Sequence, residues 1–210
     1  MALTKVRGGG VGNPLTLGGG SASDNSIIFD GNAQDFHIGL DDSTDSLTIG
    51  LGSTLGTTSH MVIDANGHIT KPLQSAFLVF SIDANDFPLN DNRVFTLDTE
   101  VFDQNGDVAS NVFTAPVTGR YNLSFSAYFT AIASDSNYLE MYLITSNKTY
   151  YFIIDPGTFD QTGAYHTITA SVLADMDAND TASIRYRQSS GTQGTDFNGS
   201  DSFFCGYLVC

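Results

Sequence analysis

Residues 113–129 read FTAPVTGRYNLSFSAYF. Past Pro116 and Gly119 the side chains alternate: Tyr121, Leu123, Phe125, Ala127 and Phe129 share one face, Asn122, Ser124, Ser126 and Tyr128 the other. A period of two is that of a β-strand with one face buried. Leu139, Met141 and Leu143 repeat the pattern, as do Ile168, Ala170 and Val172. Two stretches are apolar on both faces: residues 76–80, AFLVF, and residues 203–210, where Phe203, Cys205, Tyr207 and Val209 oppose Phe204, Gly206, Leu208 and Cys210. A first and a last strand of this kind are expected to pair at the middle of a subunit interface. Phe77, Val79, Phe204 and Leu208 are the residues expected there.

Composition supports strands and turns throughout. Gly, Asn, Asp, Ser and Thr abound and good helix formers are sparse. Fifteen Phe and nine Tyr, within a hydrophobic share of 41%, are enough for a real core in a chain of 210 residues. The 23 acidic residues against 8 basic ones give a net charge of -15. That balance excludes nucleic-acid binding, which needs clustered Lys and Arg. Identical copies of so acidic a chain repel one another, so any interface between them has to be strongly apolar or neutralised by cations. No apolar run follows Met1, which predicts no secretory signal peptide, and no stretch reaches the length of a membrane span. Cys205 and Cys210 are five residues apart in what reads as one strand, about 16 Å, too far to bridge. Both read as small hydrophobes in a reducing compartment, with pairing of Cys210 between chains as the alternative.

Three regions follow along the chain. Residues 1–24 are a Gly-rich lead with Lys5 and Arg7; such a segment is disordered alone and reads as an anchor ordered by a partner in a larger assembly. Residues 25–71 hold short β-like pieces, with Ile38-Gly39-Leu40 recurring as Ile49-Gly50-Leu51 and an Asn66-Gly67 hairpin signal between Val62-Ile63 and His68-Ile69. Strands so short and few bury no face within one chain, and three copies about an axis would supply the missing core. The segment therefore reads as an intertwined stalk. Residues 72–210 form the compact domain.

Residues 102–129, FDQNGDVASNVFTAPVTGRYNLSFSAYF, resemble the complement-type globular head, a relative of the tumour-necrosis-factor jelly roll. The shared pattern is the Asn105-Gly106 turn followed by Phe113-Thr114-Ala115-Pro116 with Gly119 and Tyr121. The ending SDSFFCGYLVC is similar to that family's closing strand. The resemblance covers most of residues 72–210 and implies a ten-stranded antiparallel jelly-roll sandwich that forms tight homotrimers through aromatic faces. Animal members carry a signal peptide and a collagen-like stalk. Here the glycine runs have no period of three. Instead, residues 35–72, DFHIGLDDSTDSLTIGLGSTLGTTSHMVIDANGHITKP, look like segments of tailed-phage fibre proteins, and MALTKV resembles their amino termini. This second resemblance is what points to a virion.

Counting antiparallel strands back from a stalk-side base puts the connections at 131–137, 155–165 and 188–200, with 83–92, at the far end, and shorter turns such as 175–180 at the base. Long polar loops on a rigid scaffold are where binding is housed. Asp135, Asn137, Asp160, Tyr165, Gln193, Asp196 and Asn198 are the candidate ligand-binding residues. The acid pairs Asp41-Asp42, Asp83 with Asp86, and Asp175 with Asp177 and Asp180 carry no mark of the divergent carboxylates that glycoside hydrolysis needs, and no nucleophile, phosphate-loop or zinc motif is present. No enzyme is expected. No cofactor is expected either, although the Asp and Asn oxygens leave Ca2+ open. His37, His60, His68 and His166 lack zinc-ligand spacing. The sequons at Asn122, Asn147, Asn179 and Asn198 carry no meaning without a secretory route.

The expectation is an all-β virion protein made in the host cytoplasm: a short homotrimeric phage fibre, on head or tail. Residues 1–24 would bind another virion protein, residues 25–71 form the stalk, and residues 72–210 adhere as a knob to a host surface glycan or protein. The alternatives are a purely structural capsid or tail decoration protein and a soluble lectin-like trimer. Neither nucleic acid nor membrane insertion is expected.

Overall fold

The computed structural model describes residues 16–159 and 165–210. The anchor residues Lys5 and Arg7 and the loop residue Asp160 lie outside these. The chain divides into two compact units, the second being Gln74–Cys210. No helix among the described residues is long and apolar enough to cross a membrane.

In the first unit, β1 (Asn25–Phe29), β2 (Phe36–Asp41), β3 (Ser46–Leu51), β4 (Ser59–Ile63) and β5 (Ile69–Thr70) form one antiparallel sheet in chain order. The β4–β5 hairpin shows why local sequence suffices to close it. Gly67 takes φ +85°, which favours glycine. The Asp64 carboxylate accepts from the amides of Asn66 and His68, both at 2.8 Å, and from the His68 ring at 2.9 Å. Those bonds hold the Asp64 carboxyl below its usual range, the His68 contact most of all. Every strand pairs with its sequence neighbour in the same chain.

The second unit is a sandwich built from β6 (Ala76–Ser81), β7 (Arg93–Val94), β8 (Leu97–Asp103), β9 (Val108–Ala109), β10 (Val112–Thr114), β11 (Gly119–Ala131), β12 (Tyr138–Thr145), β13 (Thr149–Ile154), β14 (His166–Met176), β15 (Thr181–Ser189) and β16 (Asp196–Leu208). One sheet has the order β14-β11-β16-β6-β8; the other runs β13-β12-β15-β10-β9, with β7 also on β15. All pairs are antiparallel, and from β10 onward the chain passes repeatedly between the sheets, the path of a jelly roll. β11 lies between β14 and β16, so its alternation places Tyr121, Leu123, Phe125, Ala127 and Phe129 wholly inside.

The core between the sheets is aromatic. Phe77 stacks on Phe113 at 4.8 Å and meets Phe204 edge-on at 5.0 Å; Phe125 meets Phe152 at 5.4 Å, and Phe95 meets Phe197 at 4.9 Å. Such pairs contribute beyond the area they bury. Tyr121 keeps its polar end satisfied inside by donating to the Val117 carbonyl at 2.7 Å.

This packing reverses one expectation. Phe77, Val79 and Phe204 are buried in the chain's own core, and Leu208 packs against it. They cannot serve as the open contact surface of the sheet. With both faces of β6 and β16 apolar, alternation alone does not say which face turns inward. The register answers it by setting Phe77, Val79 and Phe204 on the same side as Leu123 and Phe125.

Candidate functional site

Three surfaces have the chemistry for recognition. The first is one face of the N-terminal sheet. The register aligns Ile27, Ile38, Ile49 and Met61 in one row, Phe29, Phe36 and Leu51 in a second, and Leu40, Leu47, Ile63 and Ile69 in a third. Asn25 and the His60 ring, 6.1 Å from that of Phe36, are polar neighbours, and none of the aligned positions carries a formal charge. Most of these side chains are exposed, Phe29 at 59%. The opposite face is polar and covered: His37, Asp41, Ser46 and Thr48 are buried there. His37 donates from Nδ1 to the Gly52 carbonyl at 2.9 Å, and a Cβ at Gly50 would run into the Thr58 carbonyl. A sheet that covers its polar face and bares its apolar one is inverted relative to the usual half-buried sheet. An apolar face of that extent marks an interaction site.

The second surface is the outward face of the β14-β11-β16-β6-β8 sheet. Its β8-β6-β16 half presents Phe102, Leu78, Phe80, Phe203, Cys205 and Tyr207, which line an open trough of about 540 Å³. Burial raises the Cys205 thiol above its ordinary value, so it is a packing group in that trough, while Cys210 lies exposed beyond the strand. The β11-β14 half is hydroxyl-rich. Ser124 and Ser171 are 2.9 Å apart, and Ser171 donates to Asn122 Oδ1 at 2.8 Å. One sheet face thus carries two unlike halves, the arrangement a heterologous ring contact needs.

The third surface is the loop end. At the end of the sandwich remote from Gln74, residues 82–92, 132–137 and 190–195 interlock. Gln188, Ser136 and Thr195 form a buried polar knot: Gln188 Nε2 reaches Ser136 Oγ at 2.7 Å and the Gln193 carbonyl at 2.9 Å, and the Thr195 hydroxyl donates to Gln188 Oε1. Asn90 donates its amide to the Gln188 carbonyl at 2.8 Å and accepts from the Ser190 amide at 3.0 Å. The turns at residues 145–148 and 177–180 meet at the other end, where Asn147 donates to Asp180 at 2.8 Å.

The sequence candidates fall in different places at this end. Asp135 is exposed and accepts from the Thr192 amide at 3.1 Å. Asn137 and Gln193 are exposed, each with a backbone group tied into the loops. Tyr165 is 73% exposed beside Tyr128. Asp196 is half-buried and accepts from the Asp86 amide at 2.8 Å, and Asn198 accepts from Ser200 Oγ at 2.8 Å. Asp135 and Asp196 tie separate loops together and Asn198 bonds locally, while Asp135, Gln193 and Tyr165 remain exposed. Among the described residues no group of three or more His, Cys, Asp or Glu is placed to hold a metal ion.

Strand pairing assembles one further feature that the sequence does not show. The outward face of β12, β13 and β15 aligns Tyr151, Tyr142 and Arg185 in one row and Ile153, Glu140 and Arg187 in the next. Tyr142 donates to Glu140, and Arg187 Nη1 donates to Tyr138 Oη at 3.0 Å. Burial, then Glu140 beside it, pushes the Tyr142 hydroxyl up to about 12. A folded-state value above the ordinary 10.0 means stability is intact below pH 10 and falls as pH climbs towards 12. The thermal midpoint is expected to drop over that interval, and less steeply in Tyr142→Phe. Equal slopes in the two proteins would show that Tyr142 ionisation is not linked to unfolding.

A further expectation concerns the polar knot. Gln188→Ala strands buried hydroxyl and carbonyl groups, at a cost of about 1–3 kcal/mol. Hydrogen exchange at the Ser190 and Thr192 amides should accelerate while that of β11 does not. Unchanged exchange at both would show that other contacts hold the loops.

Compared with known proteins, the chain matches no family model and no curated protein. Similar solved structures are those of complement-type and tumour-necrosis-factor-type domains. The globular domain of zebrafish complement 1qA protein aligns with 16% identity and a TM-score of 0.48, over 65% of this chain and 98% of that one. Murine APRIL at pH 8.0 aligns with 10% identity and a TM-score of 0.48, over 65% of this chain and 99% of that one. Likeness at such identities concerns chain path alone, and the sandwich assignment rests on the strand order given above.

Proposed function

We propose that this chain is a homotrimeric virion protein, a short fibre of a tailed phage whose C-terminal knob adheres to the host surface. The observation that carries self-association is the pair of open apolar sheet faces, one in each unit. A single chain of net charge -15 that leaves both in water is an aggregation hazard, and burial against copies of itself removes it. Three copies, and the virion, come from the resemblances in residues 102–129 and 35–72 and in the amino terminus. Residues 1–24 are the anchor to another virion protein in this reading. Adhesion is supported by the rigid loop end, with Asp135, Gln193 and Tyr165 facing solvent, and three such ends give avidity from weak single contacts. The role is binding without catalysis.

The test is the solution mass of the full-length protein by light scattering, followed by titration of the labelled protein onto host cells. A mass three times the 22.4 kDa of one chain and saturable cell binding are expected. A monomer would sink the fibre reading. A trimer that binds no host cell would sink adhesion and leave a shell-decorating role.

A further inference from the structure

From the outward face of β12, β13 and β15 we infer a glycan-binding surface for a carboxylate-bearing sugar, with Arg185 taking the carboxylate and Tyr151 carrying the sugar ring. The inference rests on the adhesion reading and moves its contact from the loop end to the flank of the knob. Three observations support it, beginning with charge. In a chain with 23 acidic and 8 basic residues, this face holds Arg185 and Arg187 against the single carboxylate of Glu140. Glu140 lies opposite Arg187 and accepts from Tyr142. Arg185 is exposed and forms no ion pair among the described residues, whose ion pairs involve His68, Arg93 and Arg120. The patch is therefore locally positive on a strongly acidic protein, and it complements an anion. A planar guanidinium binds a carboxylate in a two-pronged fork.

The second observation is the aromatic platform. Tyr151 is 60% exposed and Ile153 beside it 57%. The Tyr151 ring meets Tyr142 at 5.2 Å with an interplanar angle of 71°, so its orientation is fixed by a buried neighbour. A fixed, exposed ring next to polar groups matches a saccharide, whose ring has an apolar C–H side and a polar rim. Tyr151, Tyr142 and Arg185 stand side by side on adjacent strands, so Tyr151 and Arg185 are about 10 Å apart along the sheet. One or two sugar rings cover that span. The third observation is placement. This face is on the opposite side of the sandwich from the apolar trough of Leu78, Phe80 and Phe203. Association through the trough leaves every copy of the Tyr-Arg face open, and repeated sites gain avidity on a polymer.

The test titrates full-length protein with polygalacturonate, a polymer of a carboxylated sugar, with neutral dextran, and with poly-glutamate, which has carboxylates and no sugar. Polygalacturonate should bind, dextran should not, and poly-glutamate should bind at least tenfold more weakly. Arg185→Gln and Tyr151→Ala should each weaken polygalacturonate binding at least tenfold at unchanged solution mass and thermal midpoint. No binding of polygalacturonate, or wild-type binding in both variants, overturns the site. Equal binding of poly-glutamate overturns the sugar and leaves a surface for acidic protein. The adhesion reading is tested separately on host cells. If wild type and Arg185→Gln bind them equally, adhesion stands and this face is not its contact; if wild type binds none, adhesion itself fails.

Discussion

Placing aspartate at both Ile49 and Phe203 is expected to reduce the proposed trimer to the mass of one chain at micromolar concentration. Ile49 stands in the middle row of the N-terminal sheet's apolar face, opposite Ile38 and Met61. Phe203 stands in the trough of the knob, meeting Phe80 edge-on at 5.8 Å. Neither side chain is part of the buried core of its unit, so the folded chain tolerates a carboxylate at either place. An interface does not, because burying an unpaired charge costs several kcal/mol, and a ring of copies repeats that cost at every contact. The charge also adds to a net -15 per chain, which strengthens repulsion between copies. Each single substitution should weaken the assembly, and only the double should abolish it if both faces contribute. Light scattering reads the mass, and circular dichroism checks that strand content persists. A double variant that stays at threefold mass would show that copies associate through other surfaces.

The second large effect separates two neighbours in one strand. Phe77→Ala should lower the stability of the knob by about 3–5 kcal/mol, the range for deleting a buried phenyl ring. Phe77 is 1% exposed and touches both Phe113 and Phe204. For a unit of this size that corresponds to a fall in thermal midpoint on the order of 10–20 °C. Leu78→Ala, one residue on, removes a side chain that faces the trough. It should leave unfolding of the dissociated chain within about 1 kcal/mol of wild type and act on association instead. Thermal scans over a range of protein concentrations distinguish the cases: loss of association makes the midpoint depend on concentration, and a core cavity lowers it at every concentration. If Leu78→Ala proves as costly as Phe77→Ala at every dilution, the assignment of faces is wrong.

Much of the fold could be read along the chain, for identifiable reasons. The period of two in residues 121–129 follows from strand geometry itself, and it recurs in 139–143 and 168–172. Hence the inward set of β11, β12 and β14 is visible without neighbours. The Asn66-Gly67 turn is local too, needing only a glycine at positive φ and an aspartate to bind its amides. The clustering of loops at one end follows from counting antiparallel strands. What was not legible depends on partners far apart in sequence. In β6 and β16 both faces are apolar, so the inward face is chosen by register against β11 and β8. The contributions of Asp135 and Asp196 to loop closure depend on Thr192 and Asp86 arriving beside them, whereas Asn198 bonds its near neighbour Ser200. The Tyr-Arg face was missed because Tyr142 and Tyr151 lie far along the chain from Arg185 and meet it only through the β12–β15 ladder.

By itself the amino-acid sequence determined the all-β class, the acidic character and the faces of the strands that alternate, since each depends on composition or on spacing within one strand. Tertiary structure alone decided which apolar faces turn inward and which stay open. It also decided that the N-terminal strands pair within one chain, and that tyrosine and arginine meet on the flank of the knob. Strand pairing brings together residues whose separation along the chain carries no record of their contact, and hydrogen-bond register then assigns each side chain to the core or to the surface.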